Sequence, residues 1–86
     1  MTPAQRELAR HALGLPNATG RSYRNRYFTP ANGEVSNQWR AMIEAGEAEG
    51  GKPARRQSSL FFCLTRNGAE LALNPGEWLS LEDFPR

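Results

Sequence analysis

Cysteine is almost missing from this chain. Its 86 residues hold one, Cys63, which excludes an internal disulfide framework and a four-thiolate zinc site by counting, and fits a reducing compartment. Histidine is as scarce, with His11 alone. There is no long apolar run. The first twenty residues carry Arg6, Glu7 and Arg10, so neither a secretory leader nor a membrane span is expected, and the chain reads as cytoplasmic with no membrane partner. A large excess of one charge sign is missing too. Eleven Lys and Arg face nine Asp and Glu, for a net charge of +2, so where the charges lie matters more than their sum.

The enzyme signatures are also missing. There is no G-x-S-x-G elbow, no P-loop, no dinucleotide fingerprint, no H-E-x-x-H and no zinc-finger spacing. Cys63 lies between Phe62 and Leu64 in the most strand-like segment, where a thiol is expected to act as a small buried hydrophobe. His11 reads as a helix-surface residue. Glu44, Glu47 and Glu49 are close in sequence and read as a solvated acidic face better than as an acid–base pair. No catalytic residue, metal or cofactor is expected, and the chain is read as not an enzyme.

Hydrophobic residues make up 38% and charged residues 23% of the chain, enough apolar content for one folded domain over residues 1–86. A helix is predicted over 3–13. Thr2 and Gln5 form a capping box, Pro3 sits at the first helical position, Leu8, Ala9, Ala12 and Leu13 share a face, and Gly14 stops it. Residues 15–33 read as an ordered irregular loop with one helical turn. Val35, Trp39, Met42 and Ile43 then mark a core-facing helix ended by Gly46. Residues 47–64 read as a hairpin: a first strand near Glu47 to Glu49, a turn through Gly50-Gly51-Lys52-Pro53, and a second strand SSLFFCLT covered on both faces. Thr65 caps a short helix stopped by Asn74-Pro75-Gly76. A tail holding Trp78, Leu79, Leu81 and Phe84, with Ser80 and Asp83 spaced to cap one turn, docks on the body or on a partner. The expected fold is a small α+β domain: helix, irregular loop, helix, β-hairpin, short helix, docked tail.

Two basic clusters stand out. In RSYRNRYF, Arg21, Arg24 and Arg26 alternate with Tyr23, Tyr27 and Phe28. Guanidinium groups suit phosphates and rings suit unpaired bases. The competing reading has Tyr27 and Phe28 anchor the loop in the core while the arginines pair with acidic groups of the second helix or the tail. The second cluster, Lys52, Arg55 and Arg56, falls at the expected hairpin tip.

The stretch AMIEAGEAEGGKPARRQSSLFFCLTRNGAELAL resembles the helix–wing–helix part of winged-helix regulators, with Glu44 and Gly46 as its E-x-G and Leu64, Thr65, Gly68 and Leu71 as its L-T-x-x-G-x-x-L. The resemblance covers residues 34–73 and implies a wing that offers Lys52, Arg55 and Arg56 to a phosphate backbone. The helix before the wing departs from the pattern, since it carries Glu34 and Glu44 against one basic residue, Arg40. More broadly, the succession HALGL, YRNRYF, W-x-x-M-I-E-A-G and LFFCLTRNGAELAL, from His11 to Leu73, resembles small accessory proteins of bacteriophages and prophages. That resemblance implies binding to host or phage machinery, defence systems included, and no reaction.

Two functions are therefore expected. The first is a protein-binding accessory or inhibitor module with Trp78, Leu81 and Phe84 as anchors. The alternative is a nucleic-acid-binding module with Arg21, Arg24, Arg26, Lys52, Arg55 and Arg56 on phosphates and Tyr23 or Tyr27 as a stacking platform.

Overall fold

Helix α1 (Pro3–Leu13) starts where its capping box places it. Thr2 Oγ1 accepts the Gln5 amide at 3.1 Å, and Gln5 Oε1 accepts the Thr2 amide at 3.0 Å. Gly14 ends the helix at φ 79°. The structure, a computed structural model, describes residues 1–53 and 59–85. After α1 come β1 (Tyr27–Pro30), α2 (Glu34–Glu44), β2 (Ala48–Pro53), β3 (Ser59–Leu64) and α3 (Arg66–Leu71). The three strands form one antiparallel sheet in the order β1-β3-β2. The chain is a single α+β domain.

The core lies between the helices and one face of the sheet. Leu60, Phe62 and Leu64 alternate inward along β3, and Phe62 stacks on Trp39 of α2 with ring centroids 5.5 Å apart. Tyr27 extends the stack, 5.4 Å from Trp39 and 5.2 Å from His11. Leu13, Met42 and Phe62 are fully buried, and each burial of this kind contributes about 1.5–3 kcal/mol. Phe84 of the tail closes the core from the other end.

Several expectations change. The loop after α1 contains no helical turn; it ends in the edge strand β1, whose four residues pair with β3. The hairpin does not turn at Gly50-Gly51-Lys52-Pro53. Gly50 and Gly51 take φ 112° and 83° and make a bulge, and β2 runs on to Pro53. Glycine is required here because a Cβ on Gly50 would meet the Phe61 carbonyl. Among the described residues no element covers the second face of the sheet: Phe28 is 51% exposed and Phe61 and Cys63 are only partly buried. Glu47 leaves the acidic face altogether, being buried with a carboxylate oxygen 3.2 Å from the Met1 amino group.

Thr65 caps α3 as expected, accepting the Gly68 amide, while its own hydroxyl donates to the Gly46 carbonyl at 2.7 Å. The helix is set so close to the start of β2 that a Cβ on Gly68 would strike the Glu47 carbonyl. In the tail, Ser80 Oγ accepts the Glu82 amide and the Phe84 amide reaches the Ser80 carbonyl, giving the single turn. The acceptor for the Ser80 amide is Ser22 Oγ, at 2.8 Å, in place of Asp83.

Candidate functional site

The basic-aromatic octet is built against the C-terminal end of α1, where four backbone carbonyls need donors. The Leu15 amide reaches the Arg10 carbonyl, Gly14 reaches His11, Arg26 reaches Ala12 and Tyr23 reaches Leu13. The Arg24 guanidinium adds two bonds to the His11 carbonyl, at 2.8 and 3.3 Å, placing positive charge at the negative end of the helix dipole. Asn17 folds the start of the loop, accepting from Thr19 and Gly20 and donating to the Gly14 and Arg21 carbonyls. Asn25 pins its end by exchanging two side-chain bonds with the backbone of Leu64. Sequence reasoning passed over both asparagines, whose turn-forming chemistry was the available signal.

Residues 20–22 then zip onto the tail. The Trp78 amide donates to the Gly20 carbonyl and the Ser22 amide to the Trp78 carbonyl, both at 3.0 Å, making a parallel bridge between Arg21 and Trp78. Ser22, fully buried, holds Ser80 through its hydroxyl. Behind Trp78 stands the ion pair of Arg10 and Glu77. The two side chains meet in a bidentate contact at 2.5 and 2.8 Å, and Glu77 also accepts the Asn74 amide. The Arg10 hydrogen bond holds the Glu77 carboxyl far below its ordinary range, at about 2, with the Asn74 amide helping. Arg10 is raised by the same bond.

This backbone presents an apolar cluster to solvent. Trp78 is 50% exposed, Leu81 58% and Tyr23 60%. Arg21 lies over the Trp78 ring, 5.4 Å from its centroid, and Arg24 over Tyr23 at 5.3 Å. Tyr23 rests on Gly14, where any Cβ would occupy the ring's place. Arg21, Tyr23, Trp78, Leu81 and Glu82 border one open depression, so both charge signs rim the rings. The expected tail anchors therefore divide: Phe84 belongs to the core, and Trp78 and Leu81 belong to the surface.

The octet also divides. Tyr27 anchors the loop as expected, but Phe28 does not; it packs on Phe61 across the open side of the sheet, with centroids 5.2 Å apart. Arg26 lies beside it, in a shallow depression shared with His11, Arg24, Tyr27 and Phe28. Among the described residues, Arg21, Arg24 and Arg26 make no ion pair, so the expected pairing with acidic groups gives way to rings and a helix end. Lys52 stands within β2, paired with Phe61, and not at a hairpin tip. Arg55 and Arg56 lie outside the described residues.

Cys63 is half-buried on the open face, not a core residue. Its thiol lies 3.7 Å from a Glu49 carboxylate oxygen, and burial, with Glu49 beside it, pushes its pKa up to about 11. A thiol so held is not a ready nucleophile. Among the described residues, no three His, Cys, Asp or Glu side chains gather as metal ligands would, and no helix is long and apolar enough to cross a membrane. Comparison of the chain with protein families, with curated proteins and with solved structures finds no match.

Proposed function

We propose that this chain is a non-enzymatic accessory module that binds another protein, and that the contact face is the cluster of Tyr23, Trp78 and Leu81 with Arg21 among them. The observation that carries this reading is Trp78. Trp78 is half exposed while its backbone is bonded on both sides to residues 20–22, so an exposed indole is carried on a fixed backbone. A large exposed ring loses free energy in water unless something covers it. A fixed backbone beneath it lowers the entropy cost of covering it.

The composition supports a protein partner. Trp, Tyr and Arg are the residues that concentrate binding energy at protein interfaces. The rim offers both charge signs, Arg21 and Glu82, with Asp83 next in sequence. That pattern suits a partner with both signs and opposes a polyanion. The resemblance to phage and prophage accessory proteins gives the partner class: a host or phage protein complex, with a component of a defence system as the target if the module acts as an inhibitor.

The reading is tested on the partner once captured. Trp78→Ala should weaken binding by about 2 kcal/mol or more, a loss of roughly thirtyfold, mainly through faster dissociation. Glu82→Gln should alter the association rate and its salt dependence instead. Equal affinity of the wild type and Trp78→Ala would remove this face from the interface.

A further inference from the structure

We infer that the open face of the sheet is a second binding surface and that its ligand is single-stranded nucleic acid. Directly paired residues of antiparallel strands project to the same side. Phe28 pairs with Phe61, and Phe61 pairs with Lys52 on its other flank. The three side chains therefore form a row across β1, β3 and β2, about 10 Å long from the spacing of strands. The bulge at Gly50/Lys52 puts Lys52 in that row; Gly50, before it, pairs with the inward Phe62.

Cations stand at both sides of the row. Lys52 closes it on β2, and Arg26, two residues before Phe28, lines a depression at the β1 edge with Phe28, Tyr27 and His11. Two partly exposed rings between two cations match the repeating chemistry of a single strand, with bases to stack and phosphates to pair. A duplex hides the faces of its bases and offers only the phosphates. Among the described residues this face also holds a carboxylate, Glu49, which pairs with Cys63 one step along the strands from the row and stands on the same strand as Lys52. It marks where the strand's path must end or turn away.

A second copy of the chain is the competing occupant, since a two-fold contact would appose the face to itself, and sedimentation separates the two. The residues are distinct from the cluster around Trp78, so the two surfaces stand or fall separately.

The experiment is an anisotropy titration of the full chain against a labelled oligothymidine of about 15 nucleotides and against a duplex, at about 50 and 200 mM salt. The oligothymidine should bind more tightly than the duplex. Two phosphate contacts predict an affinity loss of about sevenfold between the two salts, and Arg26→Ala or Lys52→Ala should each flatten the logarithmic salt slope by about 0.7. Phe28→Ala and Phe61→Ala should each weaken binding about tenfold, and Phe28→Tyr should retain it. That rescue separates stacking from loss of fold. Glu49→Gln should tighten binding. Arg40→Ala, on the helix that packs against the inner face, should leave it unchanged. No binding at about 50 mM salt, or binding that Phe28→Ala and Phe61→Ala leave intact, would overturn the inference. A dimer in sedimentation that Phe28→Ala dissolves would overturn it as well, by giving the face to a second copy.

Discussion

Arg10 and Glu77 meet at the back of the exposed cluster, and Glu77 also fixes the turn at Asn74 from which Trp78 emerges. Replacing Glu77 by Gln should cost about 2 kcal/mol at neutral pH, because a bond between charged groups becomes a weaker one, and should lower Tm by roughly 10 °C. The pH dependence follows from the sign of the shift. The folded carboxyl titrates at about 2, below the ordinary 4.5, so its contribution is complete above about 4.5 and is lost as the pH falls toward 2. Melting curves of the wild type and Glu77→Gln should converge over that window; a constant gap down to pH 2.5 would show that the pair does not titrate as described.

The other arginines serve the same structural economy. Arg6, Arg24, Arg40 and Arg66, like Arg10, all donate to backbone carbonyls, chiefly at the ends of helices and in the tail. A basic pI is thus no measure of a basic surface in this chain. Arg24→Ala should lower stability by about 0.5–1 kcal/mol in a denaturant titration through loss of its charge at the helix end. Unchanged stability would restore Arg24 as a residue reserved for a ligand.

At the level of elements, local signals were legible and paired ones were not. The Thr2–Gln5 box, the Gly14 stop, the periodicity of α2 and the Thr65 cap all lie within a few residues of what they control, and each forms as its sequence predicts. Strand β1 could not be read because YFTP is short, ends in proline and gains its bonds from β3, 29 to 35 residues away. Gly50-Gly51 suggests a turn and forms a bulge because left-handed glycines serve both alike. The bridge of residues 20–22 to 78–80 has no local signature, so Trp78 could be named as an anchor of either kind and not assigned.

Gly68 shows the same limit. Alanine there would favour the helix by about 1 kcal/mol on propensity alone, yet its Cβ would enter the Glu47 carbonyl. Gly68→Ala should therefore destabilise by about 1–3 kcal/mol, read as a fall in denaturant midpoint. A gain in stability would mean that α3 is free to shift away from β2.

For the whole molecule, the core takes Phe84, Tyr27 and the inward row of β3, and leaves two aromatic groups in water. One, around Trp78, is rimmed by both charge signs; the other, Phe28 with Phe61, is bracketed by Arg26 and Lys52. A small domain has few residues to spare for its interior, so large rings kept outside are the strongest mark of use that this chain carries. If the Trp78 face meets a protein partner, that partner lies within reach of Leu81. The direct measurement is photo-crosslinking in the cells that make the protein, with a crosslinking side chain placed at Leu81, in the face, or at Asn37, exposed on α2. A discrete protein adduct is expected from position 81 and none from position 37. No adduct at 81, or the same adduct from both positions, would contradict a protein partner at this face.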